Sequence, residues 1–269
     1  MFVRDLPRFS PAETAAIDRP YRKRIRFLQA VDRGVAQLVH TLKVTRQLDN
    51  TYIVFASDNG FHLGQHRMPA GKQTAYESDI HVPLLVRGPG VRVGAHESRL
   101  AGNTDLAPTF EAMAGCVPRR SPTADRSCPC WRGTRRRTGA LGYLVEHRNE
   151  AGEVRPPRAD TGKPSTLEPP DPDEIARANG RPPREIRDEM LLNRGAQIPH
   201  YDAVRTGRYL SAEYGNGDRE LYDLAIDPDE IHNRAGTRPQ RERTLAQRVT
   251  QLRNCGGAVC RTAENRAAA

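Results

Sequence analysis

Two short apolar runs set the terms for this chain. "TYIVFA" at 51–56 and "VPLLV" at 82–86 carry no polar alternation, the pattern of strands buried on both faces. Such strands need sheet neighbours and covering helices, so the runs predict an α/β architecture. The segment ahead of the first run agrees. From Tyr21 onward, Ile25, Leu28, Val31, Val35, Leu38, Val39 and Leu42 recur at three- and four-residue steps, with Arg22, Lys23, Arg26 and Arg33 on the other face. That spacing predicts an amphipathic helix packed on the sheet. "SPAE" marks a helix start: Ser10 can cap, Pro11 suits the first position, and Glu13 can close a capping box. Pro20 should then break or kink whatever Ser10 begins. Gly88-Pro89-Gly90 ends the second strand. "NTDLAPTFEAMAG" predicts a capped helix that starts at Thr104 or Asp105 and stops before Gly115.

The periodic pattern fades after residue 115. Residues 116–200 are mostly Arg, Pro, Asp, Glu and Gly, which predicts a weakly ordered connector. Beyond it, "AVRTGRYLSAEY" and "RELYDL" read as two strands around the turn "GNGD", and "RERTLAQRVTQL" as a last short helix. Three regions follow: 1–115, the connector 116–200, and a small α+β piece at 201–269. The net charge of +9 owes much to residues 119–137, where seven Arg meet one Asp. No nucleic-acid module signature accompanies them, so nucleic acid is not the expected partner. No stretch is long enough to span a bilayer. Cys255 and Cys260, in "CGGAVC", are candidates for a small disulfide loop, whereas the Cys128-Pro129-Cys130 pair has no second pair with which to build a zinc site.

Ligand sites in open α/β sheets lie beyond the carboxyl ends of strands. "SDNGFHLGQHRMPAGKQTAYE", residues 57–77, begins at that end of the first run. Asp58 and Asn59 offer two hard oxygen donors of the kind that calcium or magnesium takes. Lys72 can meet an anionic substrate as a point charge, and His62 and His66 can donate hydrogen bonds or protons. Taken singly, Asp-Asn-Gly is a common turn and a lone lysine is usually a solvated surface group. The long ordered spacing is what sets this loop apart.

The run "LDNTYIVFASDNGFHLGQHRMPAGKQTAYESDIHVPLLVRGPGV", the helix "YRKRIRFLQAVDRGVAQLV" before it and the closing "RTGRYLSAEY…ELYDLAIDPDEIHN" resemble the sulfatase family of the alkaline-phosphatase-like superfamily. The likeness is to the C-terminal portion of N-acetylglucosamine-6-sulfatase-like members. It implies a partial alkaline-phosphatase-like α/β domain followed by a small α+β subdomain. It also implies hydrolysis of sulfate esters on a sulfated carbohydrate, of amino sugar 6-sulfate type, with Ca2+. By motif position Asp58 and Asn59 correspond to two calcium ligands and Lys72 to the sulfate-binding lysine, while His62 and His66 fall in the loop lining the pocket.

The family's nucleophile, a formylglycine made from a Cys-x-Pro-x-Arg motif, lies upstream of this loop. The 57 residues before Asp58 hold no Cys and no adjacent acidic pair. "CVPRR", Cys116 to Arg120, resembles the motif but lies downstream, with no convincing helix after it. The chain is therefore expected to lack the attacking half of the site and to be inactive alone; either a separate chain supplies the missing N-terminal half, or the product is unstable, or the start codon is assigned too late. The alternative is a remnant that binds anions or sulfated glycans without cleaving them. "RRSPTADRSCPCWRGTRRR" departs from the family and is expected either from a local frameshift or from a tolerated insertion. Compartment pulls two ways: the family is usually exported or lysosomal, yet "MFVRDLPRFS" has no apolar signal core. A start at Met1 would leave the chain in the cytoplasm.

Overall fold

The computed structural model describes residues 3–4, 6–115, 140–148, 198–255 and 258–264. The first helix, α1 (Pro11–Val44), starts as its sequence dictates. The Glu13 amide donates to Ser10 Oγ at 3.3 Å, and the Ser10 amide donates back to the Glu13 carboxylate at 2.7 Å. Pro20 neither breaks nor ends it. α1 runs through as a single helix of 34 residues, because the proline removes one backbone donor while the turns on both sides keep theirs. The N-terminal end is anchored: Ala16 and Ile17 are buried against Phe9, Leu63 and Ala70. The apolar stripe beyond is not covered. Ile25, Leu28, Val31, Val35 and Leu38 are all exposed, so the expected packing of this face on a sheet is not found among the described residues.

The two apolar runs become β1 (Ile53–Ala56) and β2 (Leu84–Arg87), an antiparallel pair in register from Ile53 opposite Arg87 to Ala56 opposite Leu84. The expectation of burial on both faces fails here too, since Phe55, Leu84 and Leu85 are exposed. Each strand has one described neighbour, and a two-stranded sheet cannot cover its own faces. Between the strands lie the loop that begins at Ser57 and a one-turn helix, α2 (Glu77–Ile80). After β2 come a 3-10 turn at Asn103–Asp105 and α3 (Leu106–Met113), with Gly115 just past its end at φ +75°.

The C-terminal part is a four-stranded antiparallel meander: β3 (Gly142–His147), β4 (Tyr201–Thr206), β5 (Tyr209–Tyr214) and β6 (Arg219–Asp223). Two corrections follow. "AVRTGRYLSAEY" is not one strand but two, folded at Gly207-Arg208, where Thr206 Oγ1 accepts from the Tyr209 amide at 2.9 Å. The span read as connector also contributes the edge strand β3. Residues 116–139 and 149–197 of that span, with the "CVPRR" motif and the Arg-rich stretch, lie outside the described residues. Period-two alternation sorts the sheet into two faces. Val204 and Leu221 turn toward α4 (Pro239–Arg253), where they join Leu245, Val249 and Leu252. A final helix, α5 (Ala258–Glu264), follows, and a disulfide joins Cys255 to Cys260. On the other face Tyr201, Ala203, Leu210, Ala212, Tyr214 and Tyr222 form one buried core with Met68, Ala75 and Tyr76 of the loop.

Candidate functional site

The loop is pinned at several points. Gly60 donates to the Asp79 carbonyl at 2.8 Å and Phe61 to the Ser78 carbonyl at 2.9 Å. A Cβ on Gly60 would sit 2.0 Å from the Ser78 oxygen, so only glycine permits this approach. Farther along, His62 and Gly71 exchange amide-to-carbonyl bonds of 2.9 and 3.0 Å. The result is a broad hairpin whose two arms bring residues 58–59 and 72 together.

Asp58, Asn59 and Lys72 form one group at the loop's outer end. Lys72 Nζ donates to Asn59 Oδ1 at 3.1 Å, and Asp58 Oδ1 accepts from the Asn59 amide at 2.8 Å. Asp58 and Lys72 are exposed, and Asn59 is partly buried. Asn103, in the turn before α3, donates to the Asp58 and Ser57 carbonyls at 2.9 and 3.2 Å. This residue was not singled out in the sequence. Its distance of 45 residues from Asp58 carries no periodic signal.

The two histidines belong to a different cluster. His62 is buried, and its Nδ1 lies 2.9 Å from both carboxylate oxygens of Asp79. Asp79 Oδ2 also accepts from the Thr74 amide at 2.9 Å and the Thr74 hydroxyl at 2.7 Å. Burial alone would raise the Asp79 carboxyl, but the bonds from His62 and Thr74 hold it below its ordinary value. His66 stacks on Tyr76 with ring centroids 3.9 Å apart, at φ +54°. Burial, aided by the nearby His62, lowers its pKa, so its ring is neutral at pH 7. Neither imidazole is hydrogen-bonded to the Asp58–Asn59–Lys72 group. A broad cavity lies beside the loop, lined by residues of β2, the segment 88–105, Tyr143 and Arg205. It reaches the group only through Asn103.

The far side of the loop rests on the meander. Tyr76 donates to Glu220 at 3.0 Å and Tyr214 to the other Glu220 oxygen at 3.1 Å. Burial pushes Glu220 up to about 7 despite these bonds. Arg205 forks onto Glu77 with bonds of 2.6 and 2.9 Å, and the Glu77 amide donates to Glu230 at 2.8 Å. Tyr201 donates to the Gln73 carbonyl at 3.0 Å.

As a metal centre the group is partial. Asp58 and Asn59 offer the carboxylate and amide oxygens that calcium prefers, but calcium takes six to eight such donors. Asn59 Oδ1 already faces an ammonium, and no His, Cys, Asp and Glu cluster among the described residues is fit to hold a metal. These residues suffice for part of a calcium shell, not for a whole one.

The sulfatase family model matches residues 5–116. Human N-acetylglucosamine-6-sulfatase is 34% identical over 248 residues, which is 91% of this chain and 43% of that protein. The arylsulfatase of Volvox carteri is 30% identical over 275 residues, covering 96% and 38%. Among solved structures, one held in complex with its substrate D-glucosamine-2-N,6-O-disulfate superposes with a TM-score of 0.64 at 21% identity, over 84% of this chain and 38% of that one. The phosphonate monoester hydrolase of Agrobacterium radiobacter superposes with a TM-score of 0.57 at 23% identity, over 83% and 39%. The fold is thus the alkaline-phosphatase-like one, and it is shared by hydrolases of different esters. This chain spans less than half the length of the curated relatives it matches, and its residues 5–116 are those that match the sulfatase family.

Proposed function

We propose that this chain carries the sulfate-holding part of a sulfuric ester hydrolase acting on sulfated carbohydrate of the amino sugar 6-sulfate type. The observation that carries the reading is the meeting of Lys72 Nζ with Asn59 Oδ1 at 3.1 Å beside exposed Asp58, beyond the carboxyl end of β1 and inside the family-matched stretch. In this reading Lys72 binds a sulfate oxygen, and Asp58 and Asn59 are two of the ligands of a calcium ion whose remaining ligands come from outside the described residues. His62 serves the loop's shape rather than the chemistry, because its ring is buried on Asp79. Among the described residues no Cys lies beside this group, so in this reading they hold the anion and the attacking group comes from elsewhere. The rest of the site would come from outside the described residues.

Titration of the chain with inorganic sulfate at low ionic strength tests this. Lys72→Ala should weaken binding about tenfold, the scale of one charge-assisted contact. Unchanged affinity would remove Lys72 from the site. Incubation with glucosamine 6-sulfate should release no sulfate from the chain alone, and measurable turnover would overturn the claim that it lacks a nucleophile. A second reading, a glycan-binding remnant, draws on the exposed basic face of α1, which includes Arg22, Arg26 and Arg33. It predicts binding to a sulfated polymer that survives Asp58→Ala and falls steeply with salt.

A further inference from the structure

Lys72 is held from both sides by backbone. Gly71, before it, is bridged to His62, and Thr74, two residues on, is bonded to Asp79. Gln73, immediately after it, has φ +90°, a conformation that costs a residue with a side chain and persists only where its surroundings impose it. Two groups hold the peptide that follows it: Asp79 takes the Thr74 amide, and a second group takes the carbonyl. The Gln73 carbonyl accepts a 3.0 Å hydrogen bond from the hydroxyl of Tyr201, 128 residues away at the start of β4. Tyr201 is 2% exposed. Its ring lies edge-on to Tyr214 at 5.6 Å and stacks on His147 at 5.7 Å, so the hydroxyl cannot follow the loop if the loop moves. The C-terminal meander, which contributes no side chain to the group of Asp58, Asn59 and Lys72, nonetheless holds the Gln73–Thr74 peptide, one residue beyond Lys72.

We propose that Tyr201 is the positioning residue of the anion site: its hydroxyl holds the Gln73 peptide in its positive-φ turn and thereby keeps Lys72 Nζ beside Asn59. The inference rests on the reading of Lys72 as the sulfate contact, but it makes a separate claim about geometry. Tyr201→Phe removes the hydroxyl and leaves the ring in its core. Gln73→Gly keeps the hydroxyl and removes the conformational restriction at the turn.

The test is NMR on the isotope-labelled full chain, following the Lys72 side-chain and Asn59 amide signals with and without inorganic sulfate, for wild type, Tyr201→Phe, Gln73→Gly, Lys72→Ala and the Tyr201→Phe/Lys72→Ala double variant. Tyr201→Phe should move the Lys72 signals toward those of a free surface lysine. It should also weaken sulfate binding about fivefold, the scale of one net hydrogen bond. In the Lys72→Ala background it should cause no further loss, because a residue acting through Lys72 is not additive with it. An additive loss would show a general loosening and overturn the proposal. Lys72 signals unmoved by Tyr201→Phe would overturn it as well, whether or not sulfate binds. If Tyr201→Phe does not fold, Gln73→Gly decides: broadened Lys72 signals support the proposal and unchanged ones overturn it. A wild type that ignores sulfate, with Lys72 still displaced by Tyr201→Phe, would sink the functional reading and leave the positioning role standing.

Discussion

At the scale of single residues, Gly60 and His62 shape the loop more than any group on its exposed end. Gly60→Ala must force the Ser78 carbonyl away from a Cβ that would lie 2.0 Å from it, at a cost of about 2–3 kcal/mol. A fall in Tm of several degrees is the expected result, and an unchanged Tm would mean that the backbone gives way freely. His62→Ala leaves the buried Asp79 carboxylate with Thr74 and Ser78 alone, and should cost about 3 kcal/mol as the loss of one partner of a buried pair. Its pH signature can be worked out. The depressed Asp79 carboxyl adds stability above its ordinary 3.8, and that stability is lost as pH falls through the lowered value. Urea unfolding below pH 4 should therefore separate wild type from His62→Ala less than unfolding at pH 6. Sequence placed His62 in the loop after β1, but its partner is 17 residues away and without periodic relation to it. A histidine offered as a pocket group is a buried fixture for that reason.

At the scale of elements, buried Glu220 links β6 to the loop through Tyr76 and to β5 through Tyr214. Its carboxyl is raised from 4.5 to about 7, so the folded state holds a proton there that the unfolded state has released. Its contribution to stability then falls as pH rises from about 4.5 to 7, while Glu230, raised by burial to about 8, extends the decline further. Glu220→Gln should flatten that slope in thermal melts, and a slope that persists would place its source elsewhere. Pro20 allows a second check. Pro20→Ala restores a donor inside α1 and should raise stability by about 1–3 kcal/mol. Element type was largely legible: the Ser10 cap, the α1 stripe, both apolar strands and the last helix before Cys255 all stand where local pattern put them. Two things were not. The fold at Gly207-Arg208 hides inside a run that alternates on both sides of it, and β3 sits in a span whose composition resembles a linker. A strand's partners are fixed by distant residues, and local pattern holds no record of them.

At the scale of the whole molecule, the N-terminal part exposes an apolar helical face and two half-covered strands, while the meander buries both of its faces. Uncovered apolar area of this kind drives association. Leu28→Gln with Val35→Gln should lower the apparent mass of the chain in light scattering at high concentration, and an unchanged, monomeric mass in both would show that the face is tolerated by water. The sheet and the loop share one core, and a shared core obliges reciprocity. Whatever net free energy a ligand gains by binding beside residues 72–77 must appear as resistance to opening in β4, β5 and β6, because binding to the folded form alone stabilises every part that folds with it. Slowed hydrogen exchange at the amides of Ala203, Ala212 and Leu221 on adding sulfate would make the small sheet a gauge of occupancy for a site it never touches.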